Sequence, residues 1–508
     1  MIADSVQYYA AANALAAHGT LTVPIAFSAH EQFDAAGRLL TSHPFVLWPP
    51  GYPIALAFVS RLLAVPGWAE GVGTSEDLRY TTDIAPAAAI VNLVALCVTL
   101  LAVAWLVDRA AGPVTALSVA TLFGVLPVVQ GVFRMGLSEG LFVALCALSL
   151  VALTWWMEDP ARHTLAPWGA ALAIGAAMHV RYTGMFLVPV HVACALFPSR
   201  LSRLSRDSSP SRPSNPSQPS WPSRLSCLAG PLLGSVFLWY RLATLGCMFC
   251  ESRLPSMQSF VLNVRDLGFA LAKSLPAVYD LVPGPLDVAV SLALLVAIVL
   301  LQRRERAGGT SSRPEGLYVA VTCALVYLVG MLALRTVVEF NSLDPRLIAP
   351  AAFVALVVGL SIALKQVTRA GQWRVTACGV VMFTIAGVVS DRLDLARTDR
   401  TKHWRMLSDP SMRDLAIVKY ARDHFARRPA VPLFTSDGSV LQTQIGYDAP
   451  IYYLPATGAP LLMAGEHAVA ILTRSATPRT EAQVRALDAA APRIAGDENV
   501  IAWELAGP

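Results

Sequence analysis

"LAPWGAALAIGAAMHVRYTGMFLVPVHVACALF", residues 165–197, is an apolar run with a single charged side chain, Arg181. About 20 apolar residues in a helix cross a bilayer core. Read as one helix, the run would hold Arg181 in mid-membrane, at a cost of several kcal/mol. Read as two spans, 165–180 and 183–197, it puts the guanidinium at a helix end. The second reading sets the pattern for the chain: many spans, several of them short, with charges kept to their ends.

The composition agrees. Of 508 residues, 55% are hydrophobic and 14% charged, and the mean hydropathy is +0.53. Soluble domains carry about a quarter charged residues, so this is a polytopic membrane protein. Ten spans are expected, at about 84–107, 114–133, 138–157, 165–180, 183–197, 227–246, 284–301, 315–336, 346–364 and 374–391. The stretch 51–65, "GYPIALAFVSRLLAV", is apolar but contains Arg61. As a helix it would reach about 22 Å against a core of about 30 Å, so it is read as re-entrant or interfacial.

Net charge is +5, and its placement matters more than its size. Segments 198–226, 302–314 and 365–374 are rich in Arg and Lys, whereas 66–83 has four acids against Arg79. By the positive-inside rule the three basic segments face the cytoplasm. Residues 1–83, the loops near 134–139, 181–182, 247–283 and 337–345, and everything after 391 then lie outside. Nucleic-acid binding is excluded by the lack of a basic face or aromatic RNA motif. The eight cysteines imply no disulfide framework. The one close pair, Cys247 and Cys250, has no second pair or His cluster to complete a metal site.

Five regions follow: a first extracytoplasmic loop with juxtamembrane or re-entrant helices (1–83), an N-terminal bundle (84–197), a linker (198–226), a C-terminal bundle (227–391) and an extracytoplasmic module (392–508). The linker, rich in Ser, Pro and Arg, cannot bury apolar surface and is read as a disordered cytoplasmic segment. In the last region "MRDLAIVKYARDHFARR" has helical periodicity, while "VPLFTSD", "APIYYLP", "HAVAILTR" and "NVIAWEL" read as strands. The fold class is an all-α membrane bundle with a small C-terminal α/β module.

Four pieces of sequence meet on the expected outer side. Asp4 and Tyr8 share a helix face at i, i+4, with Tyr9 beside them. "HPFVLWPPGYP", residues 43–53, brings Trp48, Pro49, Pro50 and Tyr52 into a rigid, extended entry to the short apolar helix. "RMGLSEGLF" places Arg134 and Glu139 at a span end, and Arg181 with Tyr182 and Arg346 stand at two others. Singly, each has a structural reading: Asp4 as a helix cap, Glu139 as a dipole partner after a Ser138 cap, the arginines as snorkelling cations. Together, two carboxylates and two arginines suit a phosphate-bearing substrate. Arg grips phosphate with paired donors, and a carboxylate deprotonates a hydroxyl.

The order "DSVQYYAAANALAAHG", "WPPGYPIALA", "SEGLF", "VRYTGMFLVP", "DPRLIAP" resembles the GT-C superfamily of integral-membrane glycosyltransferases. It is similar to bacterial members of glycosyltransferase family 39: protein O-mannosyltransferases, aminoarabinose-to-lipid A transferases and galacturonosyltransferases. By that resemblance Asp4 is the essential acid of the first external loop, and Pro49 and Pro50 its Pro-Pro element. Glu139 matches a second acidic position, Arg181 a basic residue near the lipid phosphate, and Arg346 one that begins a late span. Relatives have a transmembrane helix before the acidic loop where this chain has "MIA", so the resemblance implies a start further upstream or a truncation, either giving eleven spans, or else lost activity.

The resemblance implies transfer of a sugar from a polyprenyl-phosphate donor to an extracytoplasmic acceptor, with inversion. Asp4 is then the general base, Glu139 orients the acceptor or binds a cation, and Arg181 or Arg346 neutralises the leaving phosphate. The bilayer, the lipid-linked donor and the acceptor are the expected partners, in a bacterial inner membrane. No nucleotide cofactor is expected, for want of a Gly-rich phosphate loop. A divalent cation is left open, since two separated carboxylates without His make a poor dedicated site. The rival readings are a flippase of lipid-linked sugars and an inactive relative serving as a scaffold.

Overall fold

The computed structural model describes residues 2–23, 25–26, 43–45, 48–63, 84–134, 138–159, 162–196, 221–245, 259–274, 315–337, 346–369, 415–425, 431–435, 451–454, 460, 462, 467–473, 478–496 and 500–506. The expected spans 284–301 and 374–391, and Cys247 and Cys250, lie outside these residues. The chain divides into two compact units, one of residues 1–90, 238–252 and 398–508, the other of 91–237 and 253–397.

In the first unit, helix α1 (Ile2–His18) carries Asp4 in its first turn rather than at its cap. It ends at Gly19, whose φ of +71° is left-handed and free of strain only for glycine. The Gly19 N–H closes onto the Leu15 carbonyl at 3.1 Å. Strands β1 (Thr22–Val23), β2 (Ile25–Ala26) and β3 (His43–Pro44) follow, β1 and β3 pairing antiparallel. Helix α2 (Gly51–Leu63) has 13 residues, about 20 Å, too short to span. Pro53 sits in its first turn, where a missing N–H costs nothing.

The charge in α2 serves α1. Arg61 donates from Nε and Nη2 to the Ala16 carbonyl at 3.1 and 2.6 Å, and from Nη2 to Leu15 at 3.1 Å. It therefore satisfies the Ala16 carbonyl that the helix end leaves open, adds a second donor to Leu15, and meets the negative pole of the dipole. Arg61→Ala is expected to cost about 1–2 kcal/mol locally, read as roughly tenfold faster hydrogen exchange at the Gly19 amide. Unchanged exchange there would mean that Arg61 adds nothing to the cap.

The second unit is helical. Its elements are α3 (Ala85–Ala111, shared with the first unit), α4 (Pro113–Val125), α5 (Pro127–Arg134), α6 (Glu139–Glu158), α7 (Ala166–Val180), a 3-10 turn (Tyr182–Leu187) and α8 (Val188–Leu196). After them come α9 (Trp221–Leu245, whose end from Leu238 belongs to the first unit), α10 (Phe260–Lys273), α11 (Glu315–Val337) and α12 (Ala349–Arg369). By length and composition three described stretches are long and apolar enough to cross a membrane: Pro86–Ala111, Glu139–Glu158 and Val319–Val337. The run that opened the reading breaks at Arg181, as expected: the residue is extended, at φ −148° and ψ 133°.

Three boundaries differ from expectation. The span 114–133 is two helices, because Pro127 lacks the N–H that would continue α4 through Leu126. The linker 198–226 is too long, because α9 begins at Trp221 with Pro222 in its first turn, a favoured place for proline. The segment 247–283, read as a loop, contains α10.

Small residues let the helices close. Gly230 and Gly234 form a GxxxG stripe on α9. A Cβ at Gly230 would stand 3.0 Å from the Ala171 carbonyl of α7, one at Gly175 2.7 Å from Leu233 Cδ2, and one at Gly234 would strike Met178. Nε2 of His179 lies 2.7 Å from the Leu233 carbonyl and fixes the register. Helix α6 carries an ion pair at each end, Glu139 with Arg181 and Glu158 with Arg109. Its 20 residues make about 30 Å, so its two ion pairs stand about one bilayer core apart.

Returning to the first unit, the tail folds as α13 (Ala416–Phe425), β4 (Leu433–Thr435), β5 (Ile451–Tyr453), β6 (His467–Thr473), α14 (Pro478–Ala490), β7 (Arg493–Gly496) and β8 (Val500–Ala506). The sheet order is β2-β5-β4-β6-β8-β7, parallel through β6 and antiparallel beyond it. Alternate residues face opposite sides: Val469 and Ile471 pack with α13, while Ala470, Leu472 and Trp503 pack with Leu487 of α14. Both faces are covered, which is why these strands read as continuous apolar runs. The first loop is not separate from this module: Ile25 and Ala26 pair with Ile451 and Tyr452.

Candidate functional site

The break at Arg181 builds the site. Its amide still closes α7 onto the Ala177 carbonyl at 2.8 Å, and the chain then turns back in the 3-10 turn. Gly184 makes that return fit, since a Cβ there would stand 2.8 Å from the Met178 nitrogen. The Arg181 side chain thereby reaches the start of α6. Its Nη1 lies 2.8 Å from Glu139 Oε1 and 3.3 Å from Ser138 Oγ.

Ser138 is not the cap that the sequence suggested. It is helical, at φ −68° and ψ −14°, and makes no capping bond; its hydroxyl accepts from Arg181 instead. Glu139 is the first residue of α6 and 5% exposed. Its charge is held by the helix dipole and by Arg181. Its second oxygen, Oε2, is buried with no hydrogen-bond partner among the described residues.

Beside this pair, the Tyr327 hydroxyl of α11 donates to the Leu347 carbonyl at 2.8 Å and lies 3.3 Å from Thr183 Oγ1. Its one hydrogen is used on Leu347, so Thr183 is the donor of the second bond. Tyr327 also lines a narrow cavity of about 60 Å³ in the bundle. The walls are apolar, among them Val103, Phe123, Leu150, Leu153, Phe353 and Val357. Phe123 meets Phe353 edge-on at 5.0 Å, which holds the wall between α4 and α12. An apolar chamber with an Arg–Glu pair near one wall residue suits a molecule with a long apolar tail and an anionic head.

The other expected residues fall as follows. Tyr8, Tyr9, Pro49, Pro50 and Tyr52 are buried in the first unit. Tyr8 packs against Phe45, Trp48 and Tyr52 with ring centroids at 6.1, 6.4 and 5.4 Å, joining α1 to α2. Tyr182 is half-buried and faces Phe237 at 5.8 Å. Arg346 is half-buried, and its carbonyl accepts the Ala349 amide at the start of α12. The side chains of Asp4 and Arg134 lie outside the described residues.

Ser138, Thr183, Tyr327 and Asn92 were not singled out as functional from sequence. Asn92 and Tyr327 are polar residues within apolar spans, a signal that marks function by default. Among the described residues no group of three or more His, Cys, Asp or Glu is placed to hold a metal ion.

No protein-family model matches the chain, and no curated protein matches it. Its structure is similar to that of ArnT from Cupriavidus metallidurans in the apo state, with a TM-score of 0.50 at 13% identity over 99% of this chain and 94% of that one. ArnT bound to undecaprenyl phosphate gives a TM-score of 0.48 at 13% identity with the same coverage. The archaeal oligosaccharyltransferase AglB from Archaeoglobus fulgidus, in complex with an inhibitory peptide and a dolichol-phosphate, gives 0.44 at 10% identity, over 88% of this chain and 60% of that one. The likeness to apo ArnT is one of fold: the expected all-α bundle with a small C-terminal α/β module.

Proposed function

We propose that the chain is a glycosyltransferase that moves a sugar from a polyprenyl-phosphate donor to an acceptor on the extracytoplasmic face. The observation that carries this reading is the apolar cavity whose lining residue Tyr327 is bonded to Thr183, two residues from Arg181. The isoprenoid tail would occupy the cavity, and Arg181 would face the phosphate as charge develops on it. Glu139 holds that guanidinium in place. The shared fold supports the reading, since ArnT has been solved with undecaprenyl phosphate bound.

Asp4 would take the proton of the acceptor hydroxyl, which attacks the anomeric carbon from the face opposite the phosphate. The C–O bond to the phosphate breaks, the configuration inverts, and the polyprenyl phosphate leaves with the electron pair. Tyr8, Tyr9, Trp48, Pro49, Pro50 and Tyr52 would shape the loop that carries Asp4. Arg134, Tyr182 and Arg346 would add to the surroundings of the donor head. A divalent cation remains open.

The cavity gives the test. Ala147 lines it, and Ala147→Trp is expected to weaken binding of undecaprenyl phosphate at least tenfold, measured by native mass spectrometry of the purified protein. Leu165→Trp, at a site 80% exposed, controls for the added indole and should bind as wild type does. A folded Ala147→Trp protein that binds the lipid normally would remove the cavity from the reading. In proteoliposomes, lipid-linked sugar that crosses the bilayer without a transfer product would favour the flippase instead.

A further inference from the structure

Asn92 lies in α3, well inside an apolar helix, and is 1% exposed. Neither Oδ1 nor Nδ2 has a hydrogen-bond partner among the described residues. The side chain reaches the first turn of α6: a Cβ at Gly140 would stand 3.0 Å from Asn92 Oδ1 and 2.9 Å from Phe133 Cδ1. Glycine at 140 therefore leaves the room that Asn92 occupies. One residue before it, Glu139 has the unpartnered oxygen Oε2. Three buried polar atoms without partners thus gather at one helix start. Buried groups of this kind are nearly always paired, with protein or with ordered water. The chemistry is complementary, since the amide offers two hydrogens and the carboxylate oxygen offers only lone pairs. Amide ends are exchanged by a simple flip.

We propose that Asn92 is a positioning residue for the phosphate site: its Nδ2 donates to Glu139 Oε2, directly or through one buried water. The chain Asn92–Glu139–Arg181–Ser138 then fixes the guanidinium from behind. Glu139 has one oxygen for Arg181 and one for Asn92, so its carboxylate plane cannot turn and the fork of Arg181 holds one direction. The advantage is preorganisation, because a donor aimed before the charge develops need not reorganise during reaction. The proposal rests on the reading of Arg181 as the phosphate-facing cation.

Asn92→Leu keeps volume and removes both polar ends. A double-mutant cycle with Glu139→Gln, read on binding of undecaprenyl phosphate, tests whether Asn92 acts through Glu139. Asn92→Leu alone should weaken binding about tenfold, and by less than twofold when Glu139 is already Gln. Asn92→Ser retains a hydroxyl donor and leaves room for water, so it should recover binding to within about threefold of wild type. Equal losses in both backgrounds, or no loss in the first, would overturn the proposal.

The same cycle read on melting temperature covers the case in which wild type binds no undecaprenyl phosphate. That result would sink the phosphate reading, while non-additive melting shifts would still support Asn92 against Glu139 and additive ones would reject it. If Asn92→Leu binds normally and Arg181→Gln does not, the phosphate reading stands and the role of Asn92 falls.

Discussion

Arg181→Gln is expected to weaken binding of undecaprenyl phosphate by about a hundredfold and to remove measurable transfer. On the proposed reading Arg181 does two things, and the substitution ends both. It would give up charge-assisted hydrogen bonds to phosphate, which are the strong kind and in bidentate form set direction as well as energy. It also leaves Glu139, which is 5% exposed, as a buried charge without its partner, which typically costs about 3–5 kcal/mol. A failure of the single variant to fold would therefore say nothing of phosphate. The double variant Arg181→Gln with Glu139→Gln separates the two effects, since a neutral amide pair removes the buried charge. It is expected to melt within a few degrees of wild type and still to bind poorly. Arg181→Lys should fall between, because it keeps the charge and loses the planar fork. Normal lipid binding by the folded double variant would show that the phosphate is held elsewhere, with Arg346 the next residue to test.

How far the site can be read from the sequence depends on how each contact is made. The break at Arg181 was legible, because one charge in an apolar run has few places to go. So was the sheet of the tail, because β4, β6 and β8 are apolar on both faces and need cover on both sides. The two-residue strand β2 was not legible: Ile25 and Ala26 have no pattern of their own and become a strand only by pairing with β5. Helix α14 was missed because "PRTEAQVRALDAA" buries little beyond Gln483 and Leu487. In the site, each of Glu139 and Arg181 could be singled out, yet their pairing could not, since it joins positions 42 residues apart in the chain. Ser138 misled for a local reason. Serine before a helix is most often a cap, and here the guanidinium from α7 takes its oxygen first. Tyr327 is one of two tyrosines in a 23-residue helix, and only the fold brings it to Thr183.

Asp4→Asn is expected to lower the rate of transfer at least a thousandfold while donor binding stays within about twofold of wild type. General-base catalysis contributes about 10²–10⁴-fold, and an amide of the same shape keeps packing while losing the ability to take a proton. A loss confined to turnover is the mark of an interaction made only in the transition state. Of the two carboxylates singled out, Asp4 is the better choice for this role because of what the structure shows of the other. Glu139 is bonded to Arg181 at 2.8 Å and is almost wholly buried. To take a proton, even on the unpartnered Oε2, it would lose the charge that pairs with Arg181 just when the proposed mechanism needs the guanidinium held opposite the leaving phosphate. Glu139→Gln should consequently change both binding and turnover, through Arg181, and Asp4→Asn only turnover. The measurement is transfer of labelled sugar from a polyprenyl-phosphate donor in proteoliposomes, beside lipid binding by native mass spectrometry. Full transfer by the Asn variant would take the base role from Asp4, and loss of donor binding with it would make Asp4 a binding residue. If Glu139→Gln, instead, lost turnover alone with donor binding intact, the two carboxylates would exchange roles and the ion pair at the start of α6 would have to open during the reaction.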